Sequence, residues 1–153
     1  MSATFNVFES DEWDAAETQP GFRRRGVALG PRLGAQKLGM SLYELPPGER
    51  SFPYHYELGC EEWVIVVAGR PTLRDPNGER ELVPGEVVCF PEGPAGAHAL
   101  RNATDEPVRV LFLSTKAPVA VVRYPDSAKT MAWTRDEGVD LYRETVEYYD
   151  GEE

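Results

Sequence analysis

The chain has two histidines in 153 residues, and each lies among groups that can do chemistry. His55 sits in Pro53-Tyr54-His55-Tyr56-Glu57-Leu58-Gly59-Cys60-Glu61-Glu62-Trp63, where three carboxylates follow it closely. His98 follows the loop Pro91-Glu92-Gly93-Pro94-Ala95-Gly96-Ala97. Imidazole and carboxylate are ligands for zinc, iron and manganese. On a strand, residues i and i+2 face the same side, so His55 and Glu57 point together while Tyr54 and Tyr56 point the other way. Glu61 and Glu62 open the next strand, and alternation lets one of them face inward. If Glu62 does, Val64, Val66 and Ala68 share its side; if Glu61 does, Trp63, Ile65 and Val67 do.

A set of His55, Glu57, Glu62 and His98 would leave a divalent ion with no formal charge, which favours Mn, Fe(II) or Zn over Cu. Two buried carboxylates without a cation are costly, and no Arg or Lys lies between Glu57 and Glu62 to pair with them. A metal resolves that cost; so would surface exposure of a glutamate. The glutamate that does not bind metal, Glu61 or Glu57, is the candidate general base. Cys60 lies within the first segment and reads as a bystander, and Cys89, between Val88 and Phe90, reads as core. Arg74 and Arg101 are placed to meet an acidic ligand or, more plainly, to be solvated. Ser127 and Lys129 lack a histidine partner once both histidines are assigned to the metal, which argues against a Ser-His-Asp triad.

The elements that must carry these residues are strands. Lys37–Leu45 alternates, with Leu38, Met40 and Leu42 on one face and Gly39, Ser41 and Tyr43 on the other. Phe52–Glu57, Glu62–Ala68, Thr72–Arg74, Arg80–Val83, Val87–Phe90, Ala97–Asn102, Val108–Ser114 and Val119–Tyr124 follow. Asp75-Pro76-Asn77-Gly78 is a hairpin signal, because Asn-Gly accepts the positive φ such turns require. About ten short strands at spacings of roughly 8–12 residues, with no amphipathic helix between 20 and 125, predict an antiparallel sandwich or barrel. Phe5, Val7, Phe8 and Trp13 give the acidic N-terminal stretch enough apolar surface to dock, on the chain's own outside or on a second subunit.

Composition narrows the function. The hydrophobic fraction of 41% and charged fraction of 27% are those of a globular protein. A net charge of -10 argues against nucleic acid and anionic membrane surfaces, which need a basic footprint. Arg23-Arg24-Arg25 is a short, solvated cluster. No apolar run approaches the roughly 20 residues of a membrane helix, and the first residues lack a signal peptide's charged and apolar regions. Two cysteines make no disulfide framework, so a reducing cytoplasm is the expected setting.

The two histidine segments resemble the paired motifs of the cupin superfamily. The first is Gly48, six residues, His55-x-Glu57, four residues, Glu62, six residues, Gly69. The second is Gly85, five residues, Pro91-Glu92-Gly93, four residues, His98, three residues, Asn102. Three departures stand out: Glu57 occupies the place of a second histidine, the lead-in from Gly48 is one residue longer, and the loop from Gly93 to His98 is two residues longer. The resemblance implies an all-β, double-stranded β-helix or jelly-roll barrel as one domain over 1–153, its core at about 35–125. Residues 1–34 and an acidic 126–153 would then be extensions packed on its outside. It implies a divalent metal (Mn, Fe or Zn) held by His55, Glu57, Glu62 and His98, which leaves Glu61 as the catalytic base. A compact organic ligand in the barrel, dioxygenase, isomerase or lyase chemistry, and a homodimer complete the expectation. The alternative is a metal-free cupin that binds a ligand or serves as a structural dimer.

Overall fold

A computed structural model describes residues 3–134 and 138–142, the last five as a strand only. The strands are β1 (Ala15–Glu17), β2 (Arg24–Ala28), β3 (Leu38–Leu45), β4 (Tyr56–Leu58), β5 (Glu62–Ala68) and β6 (Thr72–Asp75). They continue with β7 (Gly78–Glu81), β8 (Val87–Phe90), β9 (Ala99–Arg101), β10 (Val108–Thr115), β11 (Val119–Tyr124), β12 (Lys129–Thr134) and β13 (Gly138–Tyr142). Among the described residues, helix is confined to one turn, α1 (Leu29–Arg32), and two 3-10 turns, Pro94–Gly96 and Pro125–Ser127.

All strand pairs are antiparallel. They form a six-stranded sheet ordered β1-β2-β3-β10-β5-β8, a four-stranded sheet β13-β12-β11-β4, and a three-stranded sheet β7-β6-β9. Two isolated bridges, Arg50 with Arg101 and His55 with His98, tie the segment before β4 to β9 and the residue before it. The two small sheets are thus halves of one layer facing the six-stranded sheet, the arrangement of a jelly roll. The expected closed barrel is not continuously hydrogen-bonded. Residues 51–54 bend, and Pro53 has no N–H to donate, so the ladder there shrinks to two bridges.

Period-2 alternation sorts β3, β5 and β10 into two faces. Leu45, Val64, Val66, Val108, Val110 and Phe112 pack inward with Leu73, Leu82, Phe90 and Leu100. Leu42, Val67 and Leu111 pack outward with Val27 and Leu29, and Phe5, Val7 and Trp13 cover them. The N-terminal segment therefore docks on its own chain; Phe8 stays 72% exposed. Arg109 staples that segment down: it donates to Glu44 (2.7 Å), to the carbonyls of Phe8 and Ser10, and lies over the Trp13 ring. At the other end the chain departs from expectation. Instead of crossing the outside, β12 and β13 extend the four-stranded sheet beyond β11, and 135–137 and 143–153 lie outside the described residues.

Candidate metal centre

β5 settles the choice between neighbouring glutamates. Val64 and Val66 are buried in the inter-sheet core, so Glu62, two residues before Val64, faces inward with them. Glu61 faces away. Its carboxylate accepts a 2.7 Å hydrogen bond from the Trp63 indole, and its backbone N–H donates to Thr115 Oγ1. The base role expected for Glu61 does not fit this placement, because strand alternation sends it to the side opposite the histidines.

His55 and His98 are brought together by their own backbone. Each donates its N–H to the other's carbonyl, at 3.1 and 2.8 Å. Both side chains are then oriented locally. His55 Nδ1 meets the Pro53 carbonyl at 2.8 Å and His98 Nδ1 meets the Gly96 carbonyl at 2.9 Å. A carbonyl only accepts, so Nδ1 carries the proton on both rings and each Nε2 is left with its lone pair. The longer loop before His98 is what supplies Gly96, the last residue of a 3-10 turn, and a Cβ there would run into the Pro91 carbonyl. Phe90 stacks on His98 with centroids 3.7 Å apart, and Tyr124 stacks on His55 at 5.9 Å.

Glu62 Oε2 lies 3.5 Å from His55 Nε2 and 3.4 Å from His98 Nε2. One donor atom from each residue falls within 4.8 Å of the others. His98 is 2% exposed and His55 7%. Glu62 Oε2 and His98 Nε2 are buried with no hydrogen-bond partner, among the described residues. Three lone-pair atoms aimed at one point, two of them orphaned, is an arrangement that proteins rarely tolerate without something positive between them. Each imidazole also gives its other ring N–H to a carbonyl, which fixes the tautomer and turns Nε2 toward the common point.

The electrostatics carry the same imprint. Burial pulls the His98 pKa down to about 4, the neighbouring His55 adds to this, and the Glu62 charge only partly opposes it. Burial also acts to lower His55, but Glu62, the Pro53 carbonyl and Glu57 together outweigh it and leave it raised. Glu57 is half-buried, and its carboxyl is pushed up to about 7, first by burial and then by the Glu62 charge. It hydrogen-bonds the Cys60 thiol and stands beside the three-residue group rather than within it. Cys60 is buried at the site's edge, and burial with the Glu57 charge raises its pKa.

Several residues at the site carry no motif signal. Tyr124 reaches it from the end of β11, where burial and the Glu57 and Glu62 charges raise its phenol pKa. Alternation from buried Ala120 and Val122 does place Tyr124 on the inward face. Phe52, Phe112, Tyr43, Ser41 and Ser114 line a cavity of about 110 Å³ that opens onto Glu62. The last motif residue, Asn102, is structural. Buried, it donates from Nδ2 to the carbonyls of Leu45 and Glu106 and accepts from both the N–H and hydroxyl of Thr104.

Residues 41–114 match the family model described as Cupin domain. No curated protein matches the chain. Among solved structures, a sugar phosphate isomerase of the cupin superfamily from Silicibacter pomeroyi is 28% identical, with a TM-score of 0.82 over 93% of each chain. A provisionally named sugar phosphate isomerase from Acidithiobacillus ferrooxidans is also 28% identical, with a TM-score of 0.77 over 86% of this chain and 88% of that one. A polyketide cyclase from Streptomyces resistomycificus, 21% identical with a TM-score of 0.61 over 78% of this chain and 84% of that one, shares the fold. With its jelly-roll layers, its two histidine segments meeting at one point, and these similar structures, the chain has the cupin fold and carries a cupin domain over residues 41–114.

Proposed function

We propose that this protein is a divalent-metal cupin that binds a compact, oxygenated organic ligand and isomerises it by proton transfer. One observation carries the reading: Glu62 Oε2 and His98 Nε2 are buried, unpartnered and directed, with His55 Nε2, at a common point. His55, His98 and Glu62 would hold the ion, Mn, Fe(II) or Zn, with Glu57 beside them as a second carboxylate within the same charge field. The ion's contribution is Lewis-acid polarisation of a ligand oxygen. Glu57 is the group placed to move a proton: it is half-buried beside the three ligands, and in the metal-free site burial and then the Glu62 charge hold its carboxyl at about 7. The aromatic wall of Phe52, Phe112 and Tyr124 keeps water from the reacting carbon, and the 110 Å³ cavity suits a ligand of few atoms. The isomerase assignment draws support from the names of the two 28% identical structures. A single domain, a reducing cytoplasm, no nucleic-acid or membrane partner, and a homodimer belong to the same proposal.

Elemental analysis tests it. Purified protein should retain about one divalent ion per chain, and His98→Ala should abolish retention. Unchanged metal content in that variant would overturn the ligand set. No metal in the wild type, with no chelator-dependent change in melting temperature, would favour the non-catalytic ligand-binding or structural cupin. For the reaction, a small hydroxy-carbonyl probe should exchange its carbon-bound proton with deuterium oxide, and Glu57→Gln should slow that exchange while the ion stays bound. Light scattering at the mass of one chain would remove the dimer.

A further inference from the structure

The layer that carries the histidines on its inner side bears an unusual charge pattern on its outer side. Arg50 and Arg101 are direct cross-strand partners, both exposed. Like charges placed opposite each other on a sheet repel, so the pair needs a reason. Arg74 lies on the adjacent β6, whose Thr72 is registered opposite Arg101 and whose Arg74 is registered opposite Ala99. Strand alternation puts all three guanidinium groups on one face, since Leu73 and Leu100 between them are fully buried.

These residues line a cleft of about 600 Å³, within the range of small-molecule sites. Its walls include the rings of Phe22, Phe52 and Tyr54. Arg74 lies over Tyr54 at 3.8 Å and Arg50 over Phe22 at 5.6 Å. Two carboxylates face the three arginines: Asp126 holds Arg74 through two bonds of 2.6 and 2.9 Å, and Glu79 holds Arg101 at 2.8 Å. Among the described residues the Arg50 guanidinium has no hydrogen bond or ion pair, only the Phe22 ring. The cleft therefore keeps one uncompensated positive charge in a chain whose net charge is -10. Guanidinium groups pre-set by carboxylates or rings and backed by aromatic faces match an aromatic anion, whose carboxylate or phosphate takes parallel N–H bonds from the fork and whose ring stacks.

We infer that this outer cleft is a second binding site, taking a small aromatic anion whose phosphate or carboxylate lies between Arg50 and Arg101. It is independent of the metal reading. Tyr54 and Ala99 adjoin His55 and His98 in sequence but face the opposite side of the layer, so the two sites stand back to back.

Phenyl phosphate is the probe, titrated into the full chain by calorimetry at low salt, with inorganic phosphate and benzoate alongside. Phenyl phosphate should bind, with benzoate weaker and inorganic phosphate weaker still for want of a ring. Removal of a charge-assisted contact in Arg50→Gln should weaken binding by about tenfold or more. Arg50 is exposed and carries no structural bond through its side chain, so this variant should fold, and an unchanged melting temperature would show it. His98→Ala should leave binding intact. No binding to wild type, or binding lost in His98→Ala and kept in Arg50→Gln, would overturn the inference; the second result would move the anion to the metal centre.

Discussion

The sharpest test of the metal centre is Glu62→Gln, because it should reverse the order of stability with and without metal. Without metal, a buried acceptor stands unsatisfied 3.4 Å from an unsatisfied imidazole nitrogen. Glutamine keeps the volume but offers N–H donors to His98 Nε2 and His55 Nε2, where a carboxylate offers none. Curing one buried unsatisfied polar group is worth about 1–3 kcal/mol. At about 2–4 °C per kcal/mol for a domain of this size, the chelator-treated variant should melt roughly 2–12 °C above wild type at pH 8. With metal at 100 times its dissociation constant, wild type gains about 2.7 kcal/mol. A variant binding about a hundredfold more weakly gains only about 0.4 kcal/mol at the same concentration, so wild type overtakes it wherever the metal-free advantage is below about 2.3 kcal/mol. Scanning calorimetry with EDTA and with manganese measures both orders. The advantage of the variant should shrink as pH falls, since a protonated His55 can donate to Glu62 and relieve wild type. A chelator-treated variant that melts below wild type, or equal metal-induced shifts in both proteins, would refute the reasoning.

Other outcomes follow from the same geometry. With only two histidines, long-range proton–nitrogen NMR of the metal-free protein should show one imidazole titrating near 4 and the other above 6.5; two titrations near 6.5 would contradict the packing. His98 has its folded pKa below its unfolded value, so its contribution, about 3 kcal/mol, is complete above pH 6.5 and is lost as pH falls toward 4. Glu57 acts in the opposite sense, stabilising below 4.5 and losing this as pH rises through 7, so Glu57→Gln should unmask the acid sensitivity in urea titrations. Metal affinity, by competition with a fluorescent chelator, should fall as pH drops through the raised pKa of His55, because binding needs its free Nε2. Gly59→Ala should cost about 2 kcal/mol or more in chemical unfolding, because φ is +92° and the added Cβ would lie 2.8 Å from the Val119 carbonyl. Arg109→Met should loosen the N-terminal segment, seen as faster amide exchange at Phe8 to Trp13, and lower stability by about 1–3 kcal/mol by leaving Glu44 with Arg25 alone.

Local rules carried much of this fold. β5 and β11 run over Glu62–Ala68 and Val119–Tyr124, where valine-rich runs bounded by turn residues had marked them. The hairpin at Asp75–Gly78 closes with Asn77 N–H on Asp75 Oδ1, as its turn chemistry requires. Failure began where the chain leaves its regular period. Phe52–Glu57 reads as one strand, but its ladder starts at Tyr56, because the bend at 51–54 and the missing N–H of Pro53 interrupt pairing. Glu61 or Glu62 was undecidable from spacing alone, since the Leu58–Cys60 break resets the alternation and only core contacts on Val64 and Val66 reveal the phase. The strands β12 and β13 were hidden in an acidic tail whose pattern is weak, and their pairing depends on the edge that β11 leaves open.

The departure at Glu57 gains a meaning that the motif could not supply. A histidine there would add a neutral donor; a glutamate adds a carboxyl that burial first, and then the Glu62 charge, hold at about 7 in the metal-free site. Evolution toward tighter metal binding alone would not need a titrating group at that place. Three donors with lone pairs already converge without it. A proton-carrying neighbour within the field of the ion is what a proton-transfer reaction needs and a purely structural metal does not. Glu57→His should then bind metal at least as well as wild type while the proton exchange of a hydroxy-carbonyl probe slows by about a hundredfold or more, the usual range for a positioned general base. Exchange that persists at the wild-type rate in Glu57→His would place the base elsewhere, and Tyr124, stacked on His55 with its phenol in the same charge field, would be the next residue to replace.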